Sequence, residues 1–275
     1  MAPIKARLVS YMEPAWLISQ SIKFFLIALI FDFFKYKLDL EEFRKLWFSR
    51  LWAKIGPMMA AVPYQEPYIS ALLGRARGTV LEFGPGTGDQ ARHYRPEQIT
   101  HLYGAEPNEN LHTKLQKNCA AAGLEQYTVL TCGAQPTSLL PALVRQGLIK
   151  DERIPNDGLF DTIVTVKSLC SAPPEELKAT INLVHRLLKP GGELIFFEHV
   201  HSHDDLLTSV LVWFTDFFWP YLMGNCRLSG KLDEYLEGDQ SWAEKSISNI
   251  REYKGFEPIR YVKGYCRASS VRGWA

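Results

Sequence analysis

The chain has 275 residues, of which 47% are hydrophobic, and its formal net charge is +1 at pH 7. This length can hold one large domain with an appended segment, and the composition suits a folded protein with a sizeable core. The nearly balanced charge argues against a nucleic-acid-binding surface. The five cysteines include no C-x-x-C pair, which argues against a disulfide framework and favours a reducing, intracellular compartment.

The N-terminal part contains the most apolar stretch of the chain, residues 16–34. Its length approaches the roughly 20 residues that a bilayer-spanning helix needs. Lys23 and Asp32 interrupt it, and a charge at membrane depth is costly. The pattern therefore favours a helix that lies in a membrane interface, or enters it shallowly, over one that spans the bilayer.

A second helical stretch, residues 41–59, mixes aromatic residues such as Trp47 and Trp52 with basic ones, as interfacial helices do. Residues 1–60 carry nine Lys/Arg and five Asp/Glu, which is a charge of +4. Two interpretations are open for this segment. It contacts a membrane surface, or it forms a lid over the substrate cleft of the domain that follows.

Residues 82–88 read Glu-Phe-Gly-Pro-Gly-Thr-Gly and follow a short apolar run. Glycines at alternate positions predict a strand that enters a tight turn, where the backbone comes close to a ligand. A dinucleotide site prefers G-x-G-x-x-G, but position 89 is Asp. Glu106 ends the next predicted strand 22 residues after Gly84, where a carboxylate accepts hydrogen bonds from ribose hydroxyls.

Apolar runs alternate with helical stretches from residue 62 onward, which predicts an α/β fold with a doubly wound parallel sheet. The predicted strands are 79–83, 102–106, 128–132, 162–166 and 193–199, and the predicted helices are 89–94, 111–122, 138–146 and 174–188. Residues 242–251 and 260–268 are predicted to add an antiparallel pair, which makes seven strands. The chain thus divides into an N-terminal helical extension, residues 1–60, and a domain of residues 61–275.

Five short motifs resemble those of class I S-adenosylmethionine-dependent methyltransferases, which have a seven-stranded, Rossmann-like sheet. They are Glu82–Gly88, Glu106–Asn108, Ser168–Ser171, Leu188–Gly192 and Glu198–Val200. With the apolar N-terminal segment, they resemble the membrane-anchored methyltransferase-like proteins that include alkyl-thiol methyltransferases. The chain is also similar to small O-methyltransferases of fungal polyketide clusters.

The resemblance implies S-adenosylmethionine as cofactor. The residues it implies for binding are Glu82, Phe83, Gly84, Gly86, Gly88, Glu106, Pro107, Asn108, Ala134, Gln135 and Ser168. Glu82 and the glycines would line the methionine and ribose part, Glu106 would hold the ribose hydroxyls, and Pro107 and Asn108 would lie near the adenine. Many class I enzymes have an acidic residue after the third strand. This chain has Ala134 and Gln135 there, so the Ala134 backbone or the Gln135 amide is expected to contact the adenine.

Methyl transfer requires in-line alignment, and a base contributes only when the acceptor is not yet ionised. His199 and Lys167 end two strands at the expected ligand edge and are the candidate catalytic residues. The candidate substrate-binding residues are Trp47, Trp52, Cys170, Trp213 and Phe217. The last two lie in residues 206–223, an apolar stretch that is predicted to form a helix with apolar residues on nearly all sides.

The run from His199 to Asp205 contains three histidines. The other four histidines share no evident face with it, so no metal site is predicted. Asp204 or Asp205 is instead expected to cap the helix that follows.

The resemblance to the fungal enzymes implies methylation of an enolic or phenolic hydroxyl in a small hydrophobic secondary metabolite of the polyketide or pyrone type. S-methylation of a small thiol is an alternative, and so is a cyclase that keeps the fold without transferring methyl. The expected location is the cytoplasm or the cytosolic face of an internal membrane. The sequence predicts no oligomeric state.

Overall fold

The computed structural model describes residues 4–33, 39–202, 205–250 and 257–270. Its centre is a seven-stranded sheet in the order β3-β2-β1-β4-β5-β7-β6. The strands are β1 Gly78–Phe83, β2 Ile99–Ala105, β3 Tyr127–Leu130, β4 Phe160–Val166, β5 Leu188–Val200, β6 Trp242–Asn249 and β7 Arg260–Ala268. Strands β1 to β5 are parallel, and β7 runs antiparallel to β5 and β6. The predicted fold class and the antiparallel pair are confirmed.

Helices cover both faces of the sheet. They are α1 Ile4–Ala28, α2 Leu40–Ala60, α3 Glu66–Leu73, α4 His112–Ala121, α5 Pro136–Arg145, α6 Pro174–Leu187, α7 Leu206–Leu222 and α8 Leu232–Gly238. The prediction of a helix over residues 89–94 was wrong, because only a single 3-10 turn, Ala91–His93, forms there. Arg95 precedes Pro96, which disfavours helical backbone at Arg95, and its φ and ψ of −104° and 100° are extended.

Helices α1 and α2 pack against each other through an aromatic core. The ring of Phe25 lies edge-on to that of Trp47, at 5.2 Å between centroids. The Trp47 indole N–H donates to the carbonyl of Ser21 at 3.0 Å. Asp32 lies on a π-helical turn, Leu29–Phe33, that follows α1, and it is buried in an ion pair with Arg50 of α2 at 2.6 Å. The charge of Asp32, one of the two that interrupt the apolar stretch, is therefore compensated inside the protein.

Helix α7 lies beside α1. Asp205 caps α7 by accepting from the Thr208 N–H at 2.9 Å, as predicted for Asp204 or Asp205, and Asp204 lies outside the described residues. Asp205 also pairs with Arg7 of α1 at 2.7 Å. Val212 and Trp219 are buried, whereas the opposite face is exposed. The helix is thus two-sided, since only one face packs on the domain.

Candidate functional site

The carboxyl ends of β1, β2 and β4 meet at one edge of the sheet, where Phe83 pairs with Ala105 and Thr165. Parallel sheets bind ligands at this edge. A cleft opens there. Its walls come from α2 and from the ends of β1 and β4: Trp52, Gly56, Met59, Ala60, Glu82, Gly84, Pro85, Asp89, Gln90, Val166 and Lys167. The lining residues that were not among the predicted site residues are Gly56, Met59, Ala60, Pro85, Asp89, Gln90 and Val166.

The glycine-rich turn after β1 requires its glycines for conformation and for space. Gly84, Gly86 and Gly88 have φ values of +56°, +59° and +72°, in the left-handed region. A Cβ on Gly86 would collide with the indole of Trp52, and a Cβ on Gly84 would collide with the hydroxyl of Ser168. The turn is therefore pressed between α2 and the end of β4.

Helix α2 packs directly against the glycine-rich turn. A Cβ on Gly56 would lie 2.7 Å from the Asp89 carboxylate, so the helix backbone sits directly against the turn. Asn108 Nδ2 donates to the Lys45 carbonyl at 2.8 Å, which ties α2 to the segment after β2. Both interpretations of residues 1–60, a membrane contact and a lid over the substrate cleft, stay predictions.

Glu106 joins two loops of the site. Its Oε2 accepts from the Gly86 N–H at 3.0 Å and its Oε1 from the Asn108 N–H at 2.9 Å. Burial raises the pKa of Glu106, and these two hydrogen bonds oppose the shift. A carboxylate offers about four lone-pair positions, so two remain for the ribose hydroxyls expected there. Pro107, next to it, is exposed.

Glu82 is the penultimate residue of β1, lines the cleft and is buried. Burial raises the pKa of Glu82 to about 7, the nearby Tyr94 hydroxyl lowers it in part, and the charge of Glu106 raises it further. The carboxyl group is therefore balanced between its neutral and ionised forms near neutral pH. A bound cation would favour the ionised form.

Lys167 lies immediately after β4 with a φ of +56°, a strained conformation for a residue that carries a side chain. Its Nζ donates to the carbonyl of Met59 in α2 at 3.1 Å and lies 5.4 Å from the ring centroid of Tyr261. Burial lowers the pKa of Lys167 to about 8, and the negative charges of Glu13 and Glu198 offset part of this shift. The amine is thus able to exchange a proton near neutral pH.

Glu198 fixes the turn that carries Lys167. Its Oε1 accepts from the backbone N–H groups of Ser168 at 2.8 Å and Leu169 at 3.0 Å, and from the Thr165 hydroxyl at 2.5 Å. The Glu198–Val200 motif contains this residue, but its pattern alone does not disclose a positioning role. Ser168, predicted to bind the cofactor, lies against Gly84.

His199 and Cys170 lie together in a buried cluster. His199 Nε2 is 2.8 Å from Cys226 Sγ, and Cys170 Sγ is 3.5 Å from the same sulfur. Neither His199 nor Cys170 is among the described residues that line the cleft. Of the two candidate catalytic residues, Lys167 therefore has direct access to the cleft.

Three aromatic residues expected to bind substrate lie elsewhere. Trp47 is buried between α1 and α2, because residues five apart on a helix point about 140° away from each other and Trp52 takes the cleft side. Trp213 and Phe217 are 76% and 71% exposed on the outer face of α7. Trp47, Trp213 and Phe217 were expected to bind substrate, but none of them is among the described residues that line the cleft.

The expected contact of Ala134 or Gln135 with the adenine of the cofactor stays a prediction. Ala134 packs against the core beside β3, and the Gln135 amide folds back against Gly133. Residues 201 and 202 end the described part of the histidine-rich run, and His203 lies outside the described residues.

Comparison with known proteins agrees with this geometry. A family model for a methyltransferase domain matches residues 61–257. The human thiol S-methyltransferase TMT1A is 24% identical over 198 residues, which cover 68% of this chain and 69% of that protein. The rat thiol S-methyltransferase TMT1B is 28% identical over 167 residues, 59% of each chain. The matched region thus spans 59% to 69% of these relatives' length.

Solved structures share the fold. The N-methyltransferase NodS of Bradyrhizobium japonicum WM9, in complex with S-adenosyl-L-homocysteine, matches with a TM-score of 0.56 and 14% identity over 82% of this chain and 98% of its own. An O-methyltransferase family protein of Burkholderia thailandensis matches with a TM-score of 0.54 and 16% identity over 83% of this chain and 60% of its own. The family match covers residues 61–257, and the strand order and glycine-rich turn agree with it, so the chain belongs to the class I S-adenosylmethionine-dependent methyltransferases.

Proposed function

We propose that the protein methylates a small hydrophobic thiol, with an acidic enol or phenol as the second candidate acceptor. The observation that carries the proposal is the buried amine of Lys167 at the cleft, whose pKa is lowered to about 8. A thiol has an ordinary pKa near about 8.5, and proton transfer is efficient when acid and base are matched near the working pH. The relatives' names, thiol S-methyltransferase, favour sulfur over the oxygen acceptor that the sequence favoured.

Each part of the site then has a role. S-adenosylmethionine supplies an activated methyl group that carries its own leaving group. Glu106 and the glycine-rich turn hold the cofactor, while Trp52 and Met59 of α2 exclude water from the cleft. Lys167 accepts the proton of the acceptor thiol. When bound, S-adenosylmethionine would supply the methyl group to the acceptor sulfur, and the products would be a methyl thioether and S-adenosylhomocysteine.

The proposal is tested with matched acceptors and methyl-labelled cofactor. Pairs with one carbon skeleton, such as an aryl thiol and the corresponding phenol, are incubated with the full chain and followed by mass spectrometry. We expect labelled thioether and S-adenosylhomocysteine in equal amounts. If only the phenol is converted, to its labelled methyl ether, the acceptor atom is oxygen and the proposed thiol specificity is wrong. Conversion of an acceptor without S-adenosylhomocysteine would indicate the cyclase instead.

Cofactor affinity is expected to depend on pH through Glu82. Below pH 7 the carboxyl group is protonated, and the positive charges of S-adenosylmethionine lose an ionised neighbour. For a single linked proton, the Kd should rise about tenfold as the pH falls from 8 to 6. Calorimetric titration with S-adenosylmethionine over this pH range measures the Kd. The Glu82→Gln variant should bind weakly with little pH dependence, and a wild-type Kd that stays constant would contradict the assignment.

A methyl group at position 86 is expected to disable the cofactor site. Gly86→Ala strains a residue with φ of +59° and displaces Trp52, so cofactor affinity should fall at least about tenfold. Gly147→Ala is the matched control, because Gly147 has φ of +75° with nothing within 4 Å of an added Cβ. Both variants should lose about 1–2 kcal/mol of stability in thermal unfolding. Equal cofactor affinity in calorimetry would refute the crowding argument.

We propose that the apolar faces of α1 and α7 rest on a membrane surface. By length and composition, the segment Arg7–Asp32 is also apolar enough to cross a membrane. Exposed large side chains on the two adjacent helices include Leu8, Val9, Met12, Ile22, Leu26, Leu206, Val210, Trp213, Phe214, Phe217 and Tyr221. Contiguous exposed apolar patches of this kind mark interaction sites in proteins. The positive charge of residues 1–60 favours anionic lipid.

Charges on α7 are expected to release the protein from vesicles. The double variant Trp213→Glu/Phe217→Glu removes two exposed aromatic contacts, each worth about 1.5–3 kcal/mol when buried. Partition onto anionic vesicles, measured by co-sedimentation, should fall more than tenfold while cofactor affinity is unchanged. Val144→Glu on α5 is the control, since Val144 is also exposed. If the double variant co-sediments with vesicles as the wild type does, the proposed membrane contact of α7 is wrong. Truncation of α1 is not a suitable test, because α1 shares a core with α2.

A further inference from the structure

A cluster of soft metal ligands lies at the junction of three elements. Cys170 comes from the 3-10 turn after β4, His199 from the end of β5, and Cys226 from the loop after α7. Their ligand atoms all lie within 4.8 Å of one another. Cys170 and His199 are buried, and Cys226 is partly exposed. Neither the family match nor the cleft assigns this cluster a role.

We propose that Cys170, His199 and Cys226 form a zinc site with one open coordination position. Two thiolates and an imidazole are ligands that Zn²⁺ prefers, at about 2.3 Å for sulfur and 2.0–2.1 Å for nitrogen. A tetrahedral ion with these bonds separates its ligand atoms by about 3.6–3.8 Å. The observed separations are 3.5 Å between the sulfurs and 2.8 Å between His199 Nε2 and Cys226 Sγ. The ligands therefore need to open by less than about 1 Å.

The surroundings hold the three ligands in place. The Cys170 carbonyl accepts from the Arg227 N–H at 2.9 Å, which ties the Cys226 loop to the turn after β4. Asp216 of α7 accepts from the Leu228 N–H at 2.6 Å and secures the same loop from the other side. A site held by backbone hydrogen bonds on both sides is preorganised for an ion.

One further contact suits a metal-bound state. The Trp219 indole N–H donates to Cys226 Sγ at 3.2 Å, the kind of hydrogen bond that stabilises a metal-bound thiolate. With Nε2 on the ion, the ring proton of His199 would lie on Nδ1, which is buried and has no hydrogen-bond partner among the described residues. The partial exposure of Cys226 leaves a route for the ion and for a fourth ligand such as water.

The ion would join α7 to the ends of β4 and β5. Helix α7 carries the exposed apolar face, and the turn after β4 carries Lys167. Metal binding would thus stabilise the folded protein, because an ion that binds only the folded chain shifts the unfolding equilibrium. The sequence alone does not reveal the site, since its ligands are 29 and 27 residues apart and match no zinc spacing.

The test uses the full chain, stripped by a chelator under reducing conditions and titrated with Zn²⁺ or Co²⁺. We expect one metal per chain by elemental mass spectrometry, a sulfur-to-cobalt charge-transfer band, and a zinc-dependent rise in unfolding temperature. Cys226→Ser and Cys170→Ser should each weaken zinc binding at least about a hundredfold, as expected for loss of a direct ligand. Cys132→Ser, a buried cysteine outside the cluster, should bind like wild type.

Three results would overturn the proposal. The first is a wild-type protein that binds neither ion above background, and the second is equal zinc affinity in the Cys226→Ser and wild-type proteins. The third is a Cys170–Cys226 disulfide that persists in the reduced preparation, seen by mass spectrometry, because it would consume both thiolates. Circular dichroism confirms that each variant is folded. Metal stoichiometry does not depend on the acceptor, so this test stands apart from that of the proposed methylation.

Discussion

Lys167→Met is expected to lower kcat/KM by about 10²- to 10⁴-fold for an acceptor whose pKa lies above the assay pH. The amine lines the cleft and its pKa is lowered to about 8, and in the proposed mechanism it accepts the acceptor proton. An acceptor that is already ionised needs no base, so for such an acceptor the substitution should lower kcat/KM much less. Steady-state kinetics with a series of thiols and phenols of graded pKa measures the difference.

The pH profile gives a second readout of Lys167. The pKa is lowered from 10.5 to about 8, so the neutral amine is present above pH 8 and the wild-type rate should rise as the pH passes about 8. In Lys167→Met the rate should follow only the ionisation of the acceptor. The groups that face the amine are Glu13 from α1, Glu198 from β5 and Cys170.

Lys263→Met provides the control for Lys167. Lys263 Nζ also lies over an aromatic ring, 5.1 Å from the centroid of Tyr68, but Lys263 is not among the described residues that line the cleft. Its variant should keep the wild-type profile. Cofactor affinity should be unchanged in both variants. If Lys167→Met retains wild-type kcat/KM with an un-ionised acceptor, the lysine is not the base.

Glu106→Ala is expected to weaken cofactor binding by at least about ten- to a hundredfold. The substitution removes the hydrogen bonds expected to the ribose, and each charge-assisted bond is worth about 1.5–3 kcal/mol. It also leaves the N–H groups of Gly86 and Asn108 without their observed acceptor, so the two loops lose their link. Calorimetric titration with S-adenosylmethionine and with S-adenosylhomocysteine measures the loss.

Two variants separate the contributions of Glu106. Glu106→Gln keeps one acceptor oxygen and the shape of the side chain, so its affinity should fall between those of wild type and Glu106→Ala. Glu109→Ala removes a nearby exposed carboxylate and should bind like wild type. An affinity of Glu106→Ala equal to that of Glu109→Ala would show that Glu106 does not hold the cofactor.

Local patterns in the amino-acid sequence determine the fold class of this protein. Alternate glycines at 84, 86 and 88 after an apolar run specify a tight turn, and all three have positive φ. Apolar runs separated by helical stretches specify a parallel sheet, and the last two strands pair antiparallel as expected. Such features depend on neighbours within about ten residues, so the order of amino acids is enough to predict them.

The tertiary structure alone decided which side chains share a site. Trp52 lines the cleft and Trp47 does not. The two side chains point in different directions from α2, and only the packing of α2 on the domain decides which one faces the cleft. The pKa of Lys167 depends on burial and on the charges of Glu13 and Glu198, which come from segments far away in the chain. Cys226 meets His199 only through the path of α7. Burial, electrostatic shifts and ligand clusters arise from contacts between distant segments, and no local pattern encodes those distances.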